Sequence, residues 1–177
     1  MVTPTLFKGK GRDTYVVMGV AGSGKSLVGA AFAHALGVEF VEGDDFHPIE
    51  NVTKMASGTP LSDEDRAGWL RTLAARLETA TSAGTGLVMS CSALKRAYRD
   101  VLRAKADTLQ LIFLRGSKAL IAARLANRKT GHFMPPSLLD SQFATLEEPD
   151  PDECAWVVDI TRSPDEIVSD LVSRART

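Results

Sequence analysis

The run Gly19-Val20-Ala21-Gly22-Ser23-Gly24-Lys25-Ser26 constrains this chain more than any other feature. It satisfies GxxxxGK[ST], follows the apolar run Tyr15-Val16-Val17-Met18 and opens a stretch of helical periodicity. A glycine-rich turn from strand to helix lets several backbone N–H groups converge on one phosphate, and the helix adds the positive end of its dipole. In that setting Gly19, Ala21, Gly22, Ser23, Gly24, Lys25 and Ser26 are expected to hold ATP. Lys25 would reach the β- and γ-phosphates and act on the transferring group, and the Ser26 hydroxyl would ligate Mg2+.

Short apolar runs alternate with helical patterns along the rest of the chain. Leu27, Val28, Ala31, Phe32, Ala35 and Leu36 recur at helical spacing, and Gly37 is a natural stop. Val38–Val41, Leu87–Met89, Leu109–Leu114 and Trp156–Val158 read as further strands. Helices are expected over Asp63–Ala83 behind a capping box at Ser62, over Ala93–Ala106, over Lys118–Asn127 and after Ser163-Pro164-Asp165-Glu166. Apolar strands separated by helices predict an α/β fold with a parallel sheet covered on both faces. Ligands of such sheets bind beyond the carboxyl ends of the strands, so the residues that follow each strand are where chemistry is expected.

Length and composition narrow the function classes. The chain has 177 residues, enough for one domain, expected over residues 14–177 behind a flexible tail at 1–13. That tail carries Lys8, Lys10 and Arg12 but no apolar leader segment. A net charge of -1 gives no support for a nucleic-acid or membrane-surface partner. The two cysteines, Cys91 and Cys154, form no CxxC pair, and a reducing, cytoplasmic setting is expected.

The acceptor side is read from three segments. Glu42-Gly43-Asp44-Asp45-Phe46-His47-Pro48 follows the second strand run, which is expected to neighbour the strand before the phosphate loop. Asp44 or Asp45 there can take a proton from an attacking hydroxyl or hold Mg2+ through water, and a solvated acidic turn is the plainer alternative. Lys95 and Arg99 are expected to share a face at a helix start, suited to an anionic substrate. Arg124 and Arg128 precede Gly131-His132-Phe133-Met134-Pro135-Pro136, a segment expected to act as a lid over about 124–138. Closing it would bring guanidinium groups to the transferring phosphoryl and exclude water. Cys91 is expected to be a small buried residue, and Trp69 a core residue.

The segment GDDFHP (Gly43–Pro48) with Asn51-Val52, Lys54-Met55, Gly58, Pro60-Leu61, Asp63, Asp65-Arg66 and Trp69-Leu70 resembles gluconate kinase. So do CSALK (Cys91–Lys95), Tyr98-Arg99, HFMP (His132–Pro135) and LLDSQFATLEEP (Leu138–Pro149). The resemblance runs from Tyr15 to about Val172. It implies a P-loop fold like that of the nucleoside monophosphate kinases, a three-layer sandwich with a five-stranded parallel sheet and a mobile lid. It also implies Mg2+-ATP as donor, D-gluconate as acceptor and a homodimer. Asp44 matches the acidic residue that related kinases place near the acceptor hydroxyl. Asp45, His47, Arg66, Lys95, Arg99 and His132 are then expected to contact the substrate, and Arg124 and Arg128 to assist catalysis.

A related kinase acting on another anion, such as shikimate, is the alternative within enzymes. A guanine-nucleotide switch is disfavoured because Asn127-Arg128-Lys129-Thr130 does not fit NKxD.

Overall fold

The computed structural model describes residues 12–127 and 136–177. In chain order the strands are β1 (Arg12–Met18), β2 (Glu39–Glu42), β3 (Thr85–Ser90), β4 (Gln110–Arg115) and β5 (Trp156–Asp159). The helices are α1 (Lys25–Leu36), α2 (Ile49–Ala56), α3 (Asp63–Ala83), α4 (Arg96–Arg103), α5 (Lys118–Ala126), α6 (Pro136–Thr145) and α7 (Pro164–Ala175). Single 3-10 turns occupy Gly43–Phe46 and Pro151–Glu153.

The five strands form one sheet in the order β2-β3-β1-β4-β5, and every pairing is parallel. Alternation along each strand sends side chains to opposite faces. Val16, Met18, Leu87, Met89, Leu111 and Phe113 face one core, which α3 closes with Trp69, Leu70, Leu73 and Leu77. Tyr15, Val17, Val88, Ile112 and Leu114 face the other, closed by Val28 and Phe32 of α1, Ile121 of α5 and Ile167 and Leu171 of α7. Both faces are dry over the central strands β3, β1 and β4, which is why their interiors read as unbroken apolar runs, while the edge strands β2 and β5 are partly exposed.

Helix ends match their sequence signals. Ser62 Oγ accepts from the Asp65 N–H while the Asp65 carboxylate accepts from the Ser62 N–H, and Ser163 and Glu166 repeat the arrangement.

Four expectations need correction. Strand β1 begins at Arg12, so Arg12 and Asp13 are not tail; residues 1–11 lie outside the described residues. The second strand is not the immediate neighbour of β1, because β3 lies between them. Helix α4 starts at Arg96 rather than Ala93, since Ala93 takes a left-handed conformation (φ 45°) and Lys95 is extended. The inner stripe of α1 is Val28, Gly29, Phe32 and Ala33, while Leu27 is 62% exposed. The helix is rotated because Gly29 lies against the Phe40 ring, where a Cβ would come within 2.7 Å of ring carbon. Helices α2 and α6 were not anticipated, each being short and flanked by proline.

Candidate active site

The phosphate loop leaves β1 at Gly19, whose N–H donates to the Ser92 carbonyl at 3.3 Å. Its turn into α1 depends on Gly24, which caps the helix at φ 98°, a conformation costly for any residue bearing a Cβ. The N-cap residue Gly24 makes no side-chain cap bond, and the positive end of the α1 dipole there favours an anion. Lys25 Nζ donates to the Val20 carbonyl at 3.1 Å, which folds the ammonium back over the loop. Ser23 is 2% exposed, and its Oγ is a buried polar atom with no hydrogen-bond partner among the described residues. An orphan hydroxyl in the cradle suits a ligand oxygen. Ser26 is exposed on the first turn of α1.

The carboxyl end of β3 joins this loop to the acidic one. Ser92 holds Gly19, the Cys91 N–H donates to the Val17 carbonyl at 3.1 Å, and Ser90 Oγ accepts from the Gly43 N–H at 3.2 Å. Ser90 also donates to the Glu42 carboxylate. With β3 between them, β1 and β2 are separated by two strand spacings, about 10 Å. Cys91 is 1% exposed, and burial pushes its thiol up to about 12, so it is no nucleophile.

Gly43 permits the close approach: a Cβ there would lie 2.2 Å from the Ser90 carbonyl oxygen. Behind it, Trp69 Nε1 donates to the Gly43 carbonyl at 2.8 Å, and the indole stacks on His47 with centroids 4.0 Å apart. The His47 side chain is only 4% exposed, with its Nε2 3.9 Å from the Asp44 carboxylate. Asn51 Nδ2 lies 3.4 Å from His47 Nδ1 and donates to the Asp65 carbonyl at 2.8 Å. Burial lowers the His47 pKa; Asp44 opposes this and Arg66 adds to it. The loop is thereby fixed from below while Asp44 and Asp45 stay exposed at the sheet edge.

A polar cluster flanks that loop. Lys95 Nζ donates to both Asp63 carboxylate oxygens at 2.8 Å, and the Tyr98 hydroxyl donates to the same carboxylate. The Arg66 guanidinium donates to the Leu61 carbonyl and lies 5.6 Å from the Tyr98 ring centroid, as does Lys95 Nζ. Hydrogen bonds from Lys95 and then Tyr98 hold the Asp63 carboxyl below its usual range. Sequence reasoning gave Asp63 no role, although it lies within the segments that carry the resemblance.

Arg99 is a correction. Its side chain is fully buried, with Nε and Nη2 on the Glu153 carboxylate at 2.6 and 2.7 Å. Nη1 donates to the Ala93, Leu94 and Glu147 carbonyls. With these groups engaged beneath α4, Arg99 does not reach the cleft. The extended conformation of Lys95 explains the split: four residues share a helix face only inside a helix. Arg124 lies in the last turn of α5 and donates to the Ile160 carbonyl beyond β5. Arg128 and His132 lie outside the described residues, as does most of the expected lid.

Among the described residues no group of three or more His, Cys, Asp or Glu side chains is placed to hold a metal. The donors present at the sheet edge, the Ser26 hydroxyl and the Asp44 carboxylate, fit an Mg2+ that arrives on phosphate oxygens and keeps its waters.

A family model for shikimate kinase matches residues 21–175. Gluconokinase of Gluconobacter oxydans (strain 621H) is 46% identical over 157 residues, covering 89% of this chain and 88% of that one. The chain belongs to the gluconokinase family. Within the wider shikimate kinase family to which it also belongs, the likeness to gluconokinases extends to structure. A gluconokinase from Sinorhizobium meliloti 1021 superposes with a TM-score of 0.85 at 45% identity, covering 94% of this chain and 93% of that one. A shikimate kinase from Bacteroides thetaiotaomicron shares only 14% identity at a TM-score of 0.67, over 93% of this chain and 99% of that one. That second likeness shows the fold alone. As a gluconokinase family member the chain is a P-loop kinase and uses ATP.

Proposed function

We propose that this protein transfers the terminal phosphoryl group of ATP to a hydroxyl of D-gluconate, giving ADP and 6-phospho-D-gluconate. The observation that carries the reading is the junction at Ser90–Ser92. One end holds the phosphate loop, the other holds the aspartate loop, and an Arg66–Lys95 pair stands beyond it. Gluconate is a small polyhydroxy anion, which calls for cations and hydrogen-bonding groups rather than an apolar pocket.

Amide groups of the Gly22–Ser26 stretch hold the phosphates, since the Gly19 and Ala21 N–H groups are engaged by Ser92 and Gln142, and Lys25 swings from the Val20 carbonyl to the β- and γ-phosphates. Asp44 orients the acceptor hydroxyl and takes its proton as the new O–P bond forms. Asp45 and His47 shape the same loop. Lys95 and Arg66 meet the sugar-acid carboxylate, which competes with Asp63 for the ammonium. Arg124 and Arg128, at the start of a lid over about 124–138, place further positive charge near the transferring group, and His132 lies within that lid. When bound, Mg2+, held by the Ser26 hydroxyl and through water by Asp44, would neutralise charge on the phosphates. Phosphoryl transfer depends mainly on such positioning and charge stabilisation.

A homodimer rests on the sequence resemblance. The free thiols of Cys91 and Cys154 support a cytoplasmic setting. No helix among the described residues is long and apolar enough to cross a membrane.

A panel of sugar acids and shikimate, assayed by coupled ADP detection, tests the acceptor. D-gluconate is expected to give the highest kcat/KM. Turnover with shikimate and none with gluconate would overturn the assignment.

A further inference from the structure

Helix α6 presents Leu139, Gln142, Phe143 and Leu146 on or just beyond one helical stripe, at spacings of three, four and seven. Leu139 is buried, and Phe143 and Leu146 pack against the same core. Gln142 is the polar member of this stripe. Its Oε1 accepts from the Ala21 N–H in the phosphate loop at 2.7 Å. A backbone N–H can only donate, so the carboxamide must turn its carbonyl to Ala21 and its NH2 away. That Nε2 makes no hydrogen bond among the described residues.

We propose that Gln142 is part of the phosphate site, its Nε2 donating to the oxygens of the transferring phosphoryl group. The proposal rests on the ATP-dependent transfer described above. Three observations carry it. The carboxamide is a rigid plane, so an Oε1 pinned to Ala21 places Nε2 beside the cradle. Ala21 precedes Lys25 in the loop, and the site between them is where the terminal phosphates lie in a P-loop. The helix bearing Gln142 is anchored at its end: the Glu147 N–H donates to the Leu94 carbonyl at 2.8 Å, and the Arg96 N–H donates to the Glu147 carboxylate at 2.7 Å. A donor on such a support needs little reorganisation when charge develops on the phosphoryl oxygens, which is the condition for strong transition-state stabilisation.

Two variants separate these roles. Gln142→Glu keeps an oxygen for Ala21 but replaces the donor with negative charge; Gln142→Leu removes both. With gluconate as acceptor, both are expected to lower kcat by about 10- to 1,000-fold. KM for ATP should change by less than about threefold in the leucine variant and rise further in the glutamate variant, whose charge repels the phosphates. A glutamate variant with kcat within about twofold of wild type overturns the proposal, and so does a leucine variant that binds nucleotide more tightly and turns over faster. Should either variant fail to fold, the wild-type protein decides. The Gln142 side-chain NH2 resonances should shift on adding ADP, aluminium fluoride and gluconate more than on adding ADP alone, and equal responses contradict the proposal. Wild-type protein without gluconate turnover would instead indict the acceptor assignment, leaving the NH2 response to be read with whichever acceptor the panel identifies.

Discussion

The Trp69 indole nitrogen donates to the Gly43 carbonyl oxygen at 2.8 Å, tying the second turn of the sheet-covering helix α3 to the loop that carries Asp44. Phenylalanine would keep the ring against His47 but leave that carbonyl without its donor. Trp69→Phe is expected to cost about 1–3 kcal/mol of stability. It should also lower kcat with gluconate more than it weakens nucleotide binding. Denaturant unfolding and the coupled assay check both, and unchanged turnover would detach Trp69 from the acceptor loop.

Gly43 meets backbone, not a yielding side chain. A methyl group there would sit 2.2 Å from the Ser90 carbonyl oxygen. Gly43→Ala should therefore force β2 and β3 apart at the site and lower Tm by several degrees, about 1–3 kcal/mol in stability terms. A variant with wild-type Tm and turnover would show that the loop has room the structure does not record.

Arg99 and Lys95 are expected to respond in opposite ways. Arg99→Met leaves the buried Glu153 carboxylate with Arg103 and the Asp150 N–H, at a cost of about 3–5 kcal/mol. Its KM for gluconate should stay within about twofold of wild type at temperatures where it is folded. Lys95→Met should barely move Tm, because the Lys95–Asp63 pair is partly exposed. Its KM for gluconate should rise by about tenfold or more. The reverse pattern would restore Arg99 as a substrate ligand.

His47 gives the fold a pH dependence with a definite sign. Its folded pKa lies below the ordinary value, chiefly through burial, so the unfolded chain binds more protons below about pH 6.5. The stability held with neutral His47 is present above that pH and declines as pH falls toward the folded pKa. His47→Phe keeps a ring against Trp69 but cannot titrate. Stability measured from pH 7.5 to 5 should fall less steeply for the variant; parallel curves would contradict a buried neutral histidine.

The phosphate loop and the capped helices were legible because their signals are local. Gly24 needs its left-handed turn, and Ser62 and Ser163 bond within their own first turns. The central strands were legible because burial on both faces makes their interiors apolar. The position of β3 between β1 and β2 was not legible, since strand order depends on contacts far apart in sequence. Arg99 misled for a related reason. Its partner Glu153 lies beyond α6, and a cation near a cleft reads alike whether it faces solvent or a buried carboxylate. Gln142 left one trace, a polar residue among Leu139, Phe143 and Leu146, which gains meaning only with Ala21 beside it.

The most direct test is a structure with D-gluconate and a non-hydrolysable ATP analogue. The account predicts a terminal phosphate held by amides of the Gly22–Ser26 stretch, with a gluconate hydroxyl in line behind it and the Asp44 carboxylate within hydrogen-bond reach of that hydroxyl. A gluconate bound elsewhere, or a hydroxyl facing away from both Asp44 and the phosphate, would contradict it.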